Sequence, residues 1–133
     1  MDMAKYDGYF HDGYIYDIIH EEKNICFFLE SCVIDPKEIP RNITLSKSNT
    51  LKGILKVYNI KKYMLNNKED HNHFKMQYDY AEILDLEINE NNKLFLLLEW
   101  KNRPPKSRIN ILSKLEIEAE KIDWEPIPDL KFK

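Results

Sequence analysis

The sequence predicts an all-β protein, built as an antiparallel sandwich or a partly closed barrel of about seven to nine strands. The first observation is that Leu115, Ile117 and Ala119 are interleaved with three glutamates. A β-strand turns successive side chains to opposite faces, so this segment has one dry face and one wet face. The second observation is the same alternation over residues 84–88. Sheets with one solvated face are typical of antiparallel architectures.

Length and composition indicate a single domain over residues 1–133. A chain of 133 residues, 43% of them hydrophobic, can bury a core without metal ions or disulfides. Only three glycines occur, which counts against the glycine-rich loops that bind nucleotides. The net charge is −3, with 20 basic and 23 acidic residues dispersed along the chain. The sequence has no basic stripe, so nucleic-acid binding is not expected.

The first two strands are predicted at residues 14–19 and 24–34, joined as a β-hairpin by a polar turn. In the first strand, Tyr14, Tyr16 and Ile18 should share one face. The second strand is apolar on both faces near its start. We therefore expect it to be central in the sheet and covered on both sides.

Both cysteines, Cys26 and Cys32, fall in the second predicted strand. In an extended strand they would lie about 20 Å apart, at about 3.3 Å per residue. A disulfide needs Cα atoms within about 7 Å of each other. We therefore expect two buried free thiols, which suits a reducing cytosol.

Residues 35–48 contain two prolines, which end the second strand and predict a long connection. A short edge strand at residues 42–45 is an option within it. Residues 50–60 predict the next strand, and residues 62–65 either continue it or form another. Gly53 predicts a β-bulge in this segment.

Residues 66–74 are polar and should form an exposed loop that carries His71 and His73. The clearest hairpin of the chain follows, with strands at residues 78–89 and 93–100. The asparagine-rich segment between these strands favours a turn, because asparagine tolerates the positive φ that such turns often need.

Residues 107–122 fit two patterns. Apolar positions recur at helical spacing, and Ser113 with Glu116 has the form of a capping box. The strict alternation in the second half of the segment is typical of a strand instead. We favour a strand, and one short helix at residues 107–115 is the alternative.

The sequence lacks the signals of export and of membrane insertion. The first residues have no apolar signal-peptide core, and no stretch approaches the ~20 apolar residues of a membrane span. We therefore expect a cytoplasmic protein that does not enter membranes.

Motifs of catalysis and of cofactor binding do not occur in the sequence. Walker and dinucleotide fingerprints are missing, and no serine lies in a nucleophile elbow. The spacing of histidines and cysteines matches no zinc ligand set. We expect no cofactor and no metal, and no residue is predicted to be catalytic.

The N-terminal region is crowded with aromatic residues that have acidic neighbours. Such residues are frequent in protein-binding surfaces. Core packing should account for most of them, and a minority should form an exposed recognition patch. The candidate binding residues are Tyr9, Phe10, His11, Asp12, Tyr14 and Tyr16.

A resemblance to a group of small bacterial proteins covers most of the chain. It rests on FHDGY at residues 10–14, the strand at 25–32, LKGIL at 51–55 and WEPIP at 124–128. Members of this mostly uncharacterised group open with a His-Asp-Gly turn before a β-hairpin. Some similar proteins are regarded as immunity proteins of polymorphic toxin systems. The resemblance therefore implies an inhibitor of a toxin, and it supplies no catalytic residues.

Three functional hypotheses remain open at this point. The leading one is a non-enzymatic, immunity-type binding domain whose acidic excess steers it onto a basic, toxin-like protein partner. The second is a small metal-dependent hydrolase that uses His11 and Asp12, and the third is a structural subunit of a larger assembly. The oligomeric state stays open, as does the convergence of His11, His20, His71 and His73.

Overall fold

The computed structural model describes residues 7–131, which form a closed six-stranded antiparallel barrel with one short additional strand. The strands are β1 (Tyr14–Glu21), β2 (Asn24–Glu30), β3 (Lys52–Leu65), β4 (Lys68–Glu69), β5 (Tyr80–Ile88), β6 (Lys93–Lys101) and β7 (Leu112–Pro126). The order around the ring is β1–β5–β6–β7–β3–β2, and pairing of β2 with β1 closes it. β4 pairs with β3 outside the ring. The predicted all-β antiparallel fold of about seven to nine strands is confirmed, and of the two predicted architectures the structure has the barrel, with its ring closed.

Side chains from every strand of the ring fill the interior of the barrel. On β6 the buried residues alternate with half-exposed or exposed ones, and they are Leu94, Leu96, Leu98 and Trp100. Phe10, which ends a 3-10 turn at Asp7–Phe10, extends this core. Its ring lies edge-on to Trp124, with 5.0 Å between the ring centroids. The hydrophobic core is therefore single and continuous with the N-terminal turn.

The alternation predicted on the last strand is confirmed. Leu115, Ile117 and Ala119 of β7 are buried, and the residues between them are not. Residues 7–131 contain short 3-10 helices but no α-helix. None of the helices in this range is long and apolar enough to cross a membrane. The alternative helix at residues 107–115 is wrong, because β7 hydrogen-bonds to β6 and β3 on its two sides.

β2 is central in the sheet but covered on one face only. It pairs with β1 and β3, and it ends at Glu30 rather than at residue 34. Phe27 points into the barrel and is fully buried, whereas Phe28 on the outer face is half-buried. The expected burial of both faces is wrong, because a ring of strands has a single packed interior.

Neither cysteine is buried, although both are free thiols as predicted. Cys26 is half-buried on the outer face of β2, and Cys32 is exposed beyond the end of that strand. The Cys32 thiol donates to the carbonyl oxygen of Asp12 at 3.0 Å. The predicted burial is wrong because β2 turns Cys26 outward and ends before it reaches Cys32.

A β-bulge in β1 changes the side-chain directions expected for this strand. The register of β1 against β2 shifts between Ile15 and Asp17, so Tyr16 is the extra residue. As a result Ile15 and Ile18 are both buried in the core, while Tyr14 and Tyr16 stay outside it. The expectation that Ile18 shares a face with the two tyrosines is wrong.

Residues 62–65 continue the strand predicted at residues 50–60, which was one of the two alternatives, and together they form β3. The edge strand predicted at residues 42–45 is wrong. The connection before β3 contains only a 3-10 turn at Pro36–Glu38 among its regular elements. The Asp35 carboxylate caps this turn by accepting the N–H of residue 37, so local capping and proline replace sheet pairing here.

Gly53 marks a close approach of two backbones rather than the predicted bulge. It pairs in register with Leu29 on one side and Pro126 on the other. A Cβ atom at this position would lie 2.1 Å from the carbonyl oxygen of Glu125. Glycine is therefore required for β7 to lie against β3 at this point.

Residues 66–74 are only partly the exposed loop that the sequence predicts. His71 and His73 are exposed as expected. Residues Lys68–Glu69 form β4, and Phe74 is buried in the core. The prediction is wrong for Phe74 because its ring packs beside Trp100, with 6.0 Å between centroids.

The ring has its shortest pairing between β1 and β5. In the described structure these strands pair at Tyr14 and Ile15 alone. Further along β1, His20 contacts the segment that precedes β5, because its Nδ1 accepts the N–H of Phe74 at 2.8 Å. This side-chain hydrogen bond ties the end of β1 to the core where strand pairing has stopped.

Candidate functional site

Three tyrosine rings meet on the outer face of the barrel, where β1 pairs with β5. The ring centroids of Tyr14 and Tyr80 are 5.7 Å apart, those of Tyr14 and Tyr16 are 6.0 Å apart, and those of Tyr16 and Tyr80 are 6.2 Å apart. All three residues are half-buried. Tyr14, Tyr16 and Tyr80 are called the tyrosine cluster below. Strand pairing places Tyr80 beside Tyr14 and Tyr16, which lie at least 64 positions earlier in the chain.

A fourth side chain, Arg103, covers one ring of the tyrosine cluster. Its guanidinium carbon lies 5.3 Å from the centroid of the Tyr80 ring, a cation–π geometry. The backbone N–H of Arg103 donates to the Asp79 carboxylate at 2.8 Å, and Lys106 Nζ donates to the other oxygen at 2.6 Å. These two bonds lower the pKa of Asp79, so its carboxylate stays charged and holds the loop beside the cluster.

Two glutamates flank the tyrosine cluster on neighbouring strands. Glu82 on β5 and Glu30 on β2 both lie directly opposite Tyr14 in the strand register. Burial, followed by the nearby Glu82, raises the pKa of Tyr14. Burial, followed by Glu30, raises the pKa of Tyr16 to about 12. Both phenols are therefore protonated at neutral pH and act as hydrogen-bond donors and apolar rings.

The groups beside the cluster are poorly suited to nucleophilic chemistry. Burial, followed by the charges of Asp12 and Glu82, raises the pKa of the Cys32 thiol. A thiol is nucleophilic as the thiolate, so a raised pKa lowers its reactivity at neutral pH. The arrangement offers aromatic surface and hydrogen-bonding groups.

The structure distributes the six predicted binding residues over four environments. Tyr14 and Tyr16 lie in the tyrosine cluster, whereas Phe10 is fully buried and offers no surface to a partner. Tyr9 is half-buried, and its hydroxyl donates to a backbone carbonyl at 3.3 Å. His11 and Asp12 are exposed in the turn before β1. Tyr80 and Arg103 are missing from the sequence-based set, because only the strand register places them beside Tyr14.

The His11–Asp12 turn has a structural task. Asp12 adopts a φ of 65°, and its backbone N–H donates to the Ile83 carbonyl at 2.8 Å, which sets β1 against β5. His11 Nε2 lies 3.7 Å from the carboxylate of the adjacent Asp12, with both side chains about three-fifths exposed. No grouping of three or more metal-binding side chains occurs in residues 7–131. The geometry therefore gives the hydrolase hypothesis no assembled site.

Among the ring contacts of residues 7–131, one pair of histidines comes together. His20 and His73 stack with 4.5 Å between ring centroids, and His20 also lies 5.9 Å from the ring of Tyr63. His11 precedes β1 and His20 lies near its other end. The pair occupies a place where β1 meets the segment before β5, away from the turn that holds His11.

We expect protonation of His20 to lower the free energy of unfolding as the pH falls below 6.5. Burial and then His73 lower the pKa of His20 from its ordinary value of 6.5, so the unfolded chain binds this proton more tightly. The contribution of His20 is complete above pH 6.5 and is lost as the pH falls through the lowered folded-state pKa. Protonation of Nδ1 also removes the acceptor for Phe74 N–H.

Urea denaturation of the wild type and of His20→Gln at pH 7.5 and pH 5 measures this contribution. Glutamine keeps an acceptor for the Phe74 N–H but has no proton to gain. The wild type should lose more stability on acidification than the variant does. An equal loss in the two proteins would show that His20 has no part in it.

A shallow groove on another part of the outer face is the main competing surface. It has a volume of about 340 Å³ and lies over β3, β5, β6 and β7. Met64 and Phe95 supply apolar surface, and its rim mixes both charges, with Lys114 Nζ 3.1 Å from the Glu116 carboxylate. Phe95 is the one aromatic residue that lines the groove, whereas three rings meet in the tyrosine cluster, so we favour the tyrosine cluster as the candidate site.

Comparison of the chain with protein-family models, with curated proteins and with solved structures finds no match. The function is therefore inferred from the arrangement of side chains on the barrel.

Proposed function

We propose that this protein is a non-enzymatic protein-binding domain and that the tyrosine cluster is the centre of its binding surface. The observation that carries the proposal is the meeting of Tyr14, Tyr16 and Tyr80 on an outer face. Tyrosine and arginine are enriched among the residues that contribute most binding energy at protein interfaces. An immunity-type inhibitor, which binds a toxin and blocks it, is the specific form that we propose.

The barrel provides the rigidity that such a surface needs. Tyr14 and Tyr80 lie on paired strands, and Arg103 is held by the hydrogen bonds of Asp79. A tyrosine side chain has two rotatable bonds, so ordering it in an interface costs little conformational entropy. Ring contacts within the cluster restrict these bonds further before a partner arrives.

Closure of the barrel favours a binding surface made of side chains over one made of exposed strand backbone. Each of the six ring strands in the described chain has a neighbour on both sides, although β1 and β5 pair at Tyr14 and Ile15 alone. A free strand edge is what allows a second chain to add to a sheet. The extensive pairing of the other strands therefore favours recognition through outer-face residues, and strand addition is confined to the parts of β1 and β5 beyond their short pairing.

Replacing Tyr16 with alanine should weaken partner binding by at least about 30-fold, the ~2 kcal/mol typical of an interface hot spot. The matched control is Tyr58→Ala. Tyr58 is also a half-buried outer-face tyrosine with a cation over its ring, Lys121 at 5.6 Å, but it lies outside the cluster. Tagged wild-type and variant proteins would be compared in the native lysate by quantitative mass spectrometry, and the captured partner then titrated calorimetrically.

The expected outcome is one stoichiometric partner that the wild type and Tyr58→Ala capture and Tyr16→Ala loses. For an immunity-type inhibitor, equimolar wild-type protein should also abolish the toxicity of that partner in a growth assay. Thermal unfolding of both variants shows that they are folded. Undiminished capture by Tyr16→Ala, or the lack of any stoichiometric partner, would contradict the proposal.

A further inference from the structure

We infer that the tyrosine cluster recognises a cationic side chain of its protein partner, an arginine guanidinium in particular. This inference rests on the proposed function, because it names the chemical group that the same surface receives. Three observations support it: a guanidinium already lies over one ring of the cluster, a carboxylate beside the cluster forms no close ion pair with a described residue, and the chain has an acidic excess.

Arg103 shows that the cluster accommodates a guanidinium. Its carbon atom lies 5.3 Å from the centroid of Tyr80, and the side chain is exposed at the rim of the cluster. Tyr14 presents its ring next to that of Tyr80, in a T-shaped contact at 5.7 Å. Among residues 7–131 no cation lies over the Tyr14 ring, so the same interaction is open to a group from outside.

Glu82 supplies the charge that a bound cation would need. It lies opposite Tyr14 across the β1–β5 pair, where directly opposed side chains are in contact range. Its carboxylate lies within ion-pair distance of no described cation. Lys101 is paired with Glu99, which raises the pKa of Lys101 most, and the charge of Glu82 adds to that rise. Glu30, on the other side of Tyr14, is already shared between Lys52 at 3.7 Å and the Thr50 hydroxyl at 2.7 Å. Glu82 is therefore the carboxylate available to an incoming guanidinium.

Acidic groups lie close to Tyr14. Glu82 and Asp12 both raise the pKa of its phenol, after the larger effect of burial. The whole chain has a net charge of −3. Charge complementarity of this kind accelerates encounter with a basic partner and fixes its orientation.

A second surface with carboxylates allows recognition by rings to be separated from simple attraction. Glu116 and Glu118 project from β7 beside the 340 Å³ groove. That surface has carboxylates but no cluster of tyrosines, and Glu116 is paired with Lys114. Attraction by carboxylates alone predicts that a polycation visits both surfaces, whereas recognition by rings and carboxylate together predicts the tyrosine cluster.

The test is a titration of isotope-labelled full-length protein with an oligo-arginine peptide at low ionic strength, followed by nuclear magnetic resonance. An oligo-citrulline peptide of equal length is the uncharged control. We expect chemical-shift changes centred on Tyr14, Tyr16 and Glu82, with about tenfold weaker binding of the citrulline peptide. Glu82→Gln, which keeps the size of the side chain, should weaken oligo-arginine binding several-fold and leave the thermal unfolding temperature unchanged.

Equal shifts at Glu116 and Glu118, equal binding of the two peptides, or no binding would each overturn the inference. The capture experiment with Tyr16→Ala separates this failure from failure of the proposed function. If the peptide fails while Tyr16→Ala still loses its partner, the cluster binds a protein through other groups. If both experiments fail, the proposed function is wrong as well.

Discussion

Replacing Trp100 with alanine should lower the free energy of unfolding by about 3–5 kcal/mol, the range for truncating a large buried aromatic side chain. Trp100 is fully buried within the barrel. Its indole N–H donates to the Ser113 hydroxyl at 2.8 Å, which also joins β6 to β7. The substitution removes a large apolar volume and leaves a buried hydroxyl without its donor. A loss of this size is a large fraction of the 5–15 kcal/mol that stabilises typical domains.

Urea denaturation followed by circular dichroism measures the loss, with Phe95→Ala as the matched control. Phe95 lies on the same strand but on the outer face, and it is half-exposed. The control should therefore lose much less stability than Trp100→Ala. Similar losses for the two variants would contradict the assignment of the barrel interior as the core.

Replacing Gly53 with alanine should lower the free energy of unfolding by about 1–3 kcal/mol, as overpacking of a filled site does. The added Cβ would lie 2.1 Å from the backbone oxygen of Glu125. A side chain can rotate away from such a clash, but this oxygen belongs to a strand paired with β3 along its length. The strand must move, and the neighbouring hydrogen bonds weaken.

Gly8→Ala is the control for this prediction, because a Cβ at Gly8 meets no atom within 4 Å. We expect its free energy of unfolding to stay within about 0.5 kcal/mol of the wild-type value. Gly53→Ala should unfold at a clearly lower urea concentration. If the two alanine variants unfold together, β7 does not approach β3 as closely as the structure indicates.

The strands could be predicted from the sequence because each carries its own pattern. The alternation around Leu115 on β7 reports which residues are buried, and the structure confirms it. Closure of the ring could not be predicted, since it depends on pairing between strands far apart in sequence. The bulge at Tyr16 was also missed: one extra residue reverses the faces that follow it, and no residue type marks it.

The candidate site was predictable only in part for the same reason. Tyr14 and Tyr16 lie close together in the sequence, so their crowding could be noticed before the structure. Tyr80 reaches them because β5 pairs with β1. Arg103, in the loop after β6, reaches the cluster by lying over the Tyr80 ring. Phe10 has the same composition signal as its neighbours, but the turn before β1 directs it to Trp124 and the core. An aromatic-rich segment does not reveal which of its rings are exposed.

The position of β7 between β3 and β6 has a consequence for how the chain folds during synthesis. β7 is the last of the seven strands to leave the ribosome, yet it joins β3 to β6. Without β7, the β1–β2–β3 part of the ring meets the β5–β6 hairpin only through the short β1–β5 pairing. Gly53 pairs with Pro126, a contact that spans 73 positions (126 − 53). Until β7 emerges, β3 and β6 each have one unpaired edge, and the apolar side chains on their inner faces are incompletely covered. Such non-local pairing is slow, and unpaired edges in incomplete chains promote aggregation. The nascent protein therefore depends on its final strand for protection against misassembly.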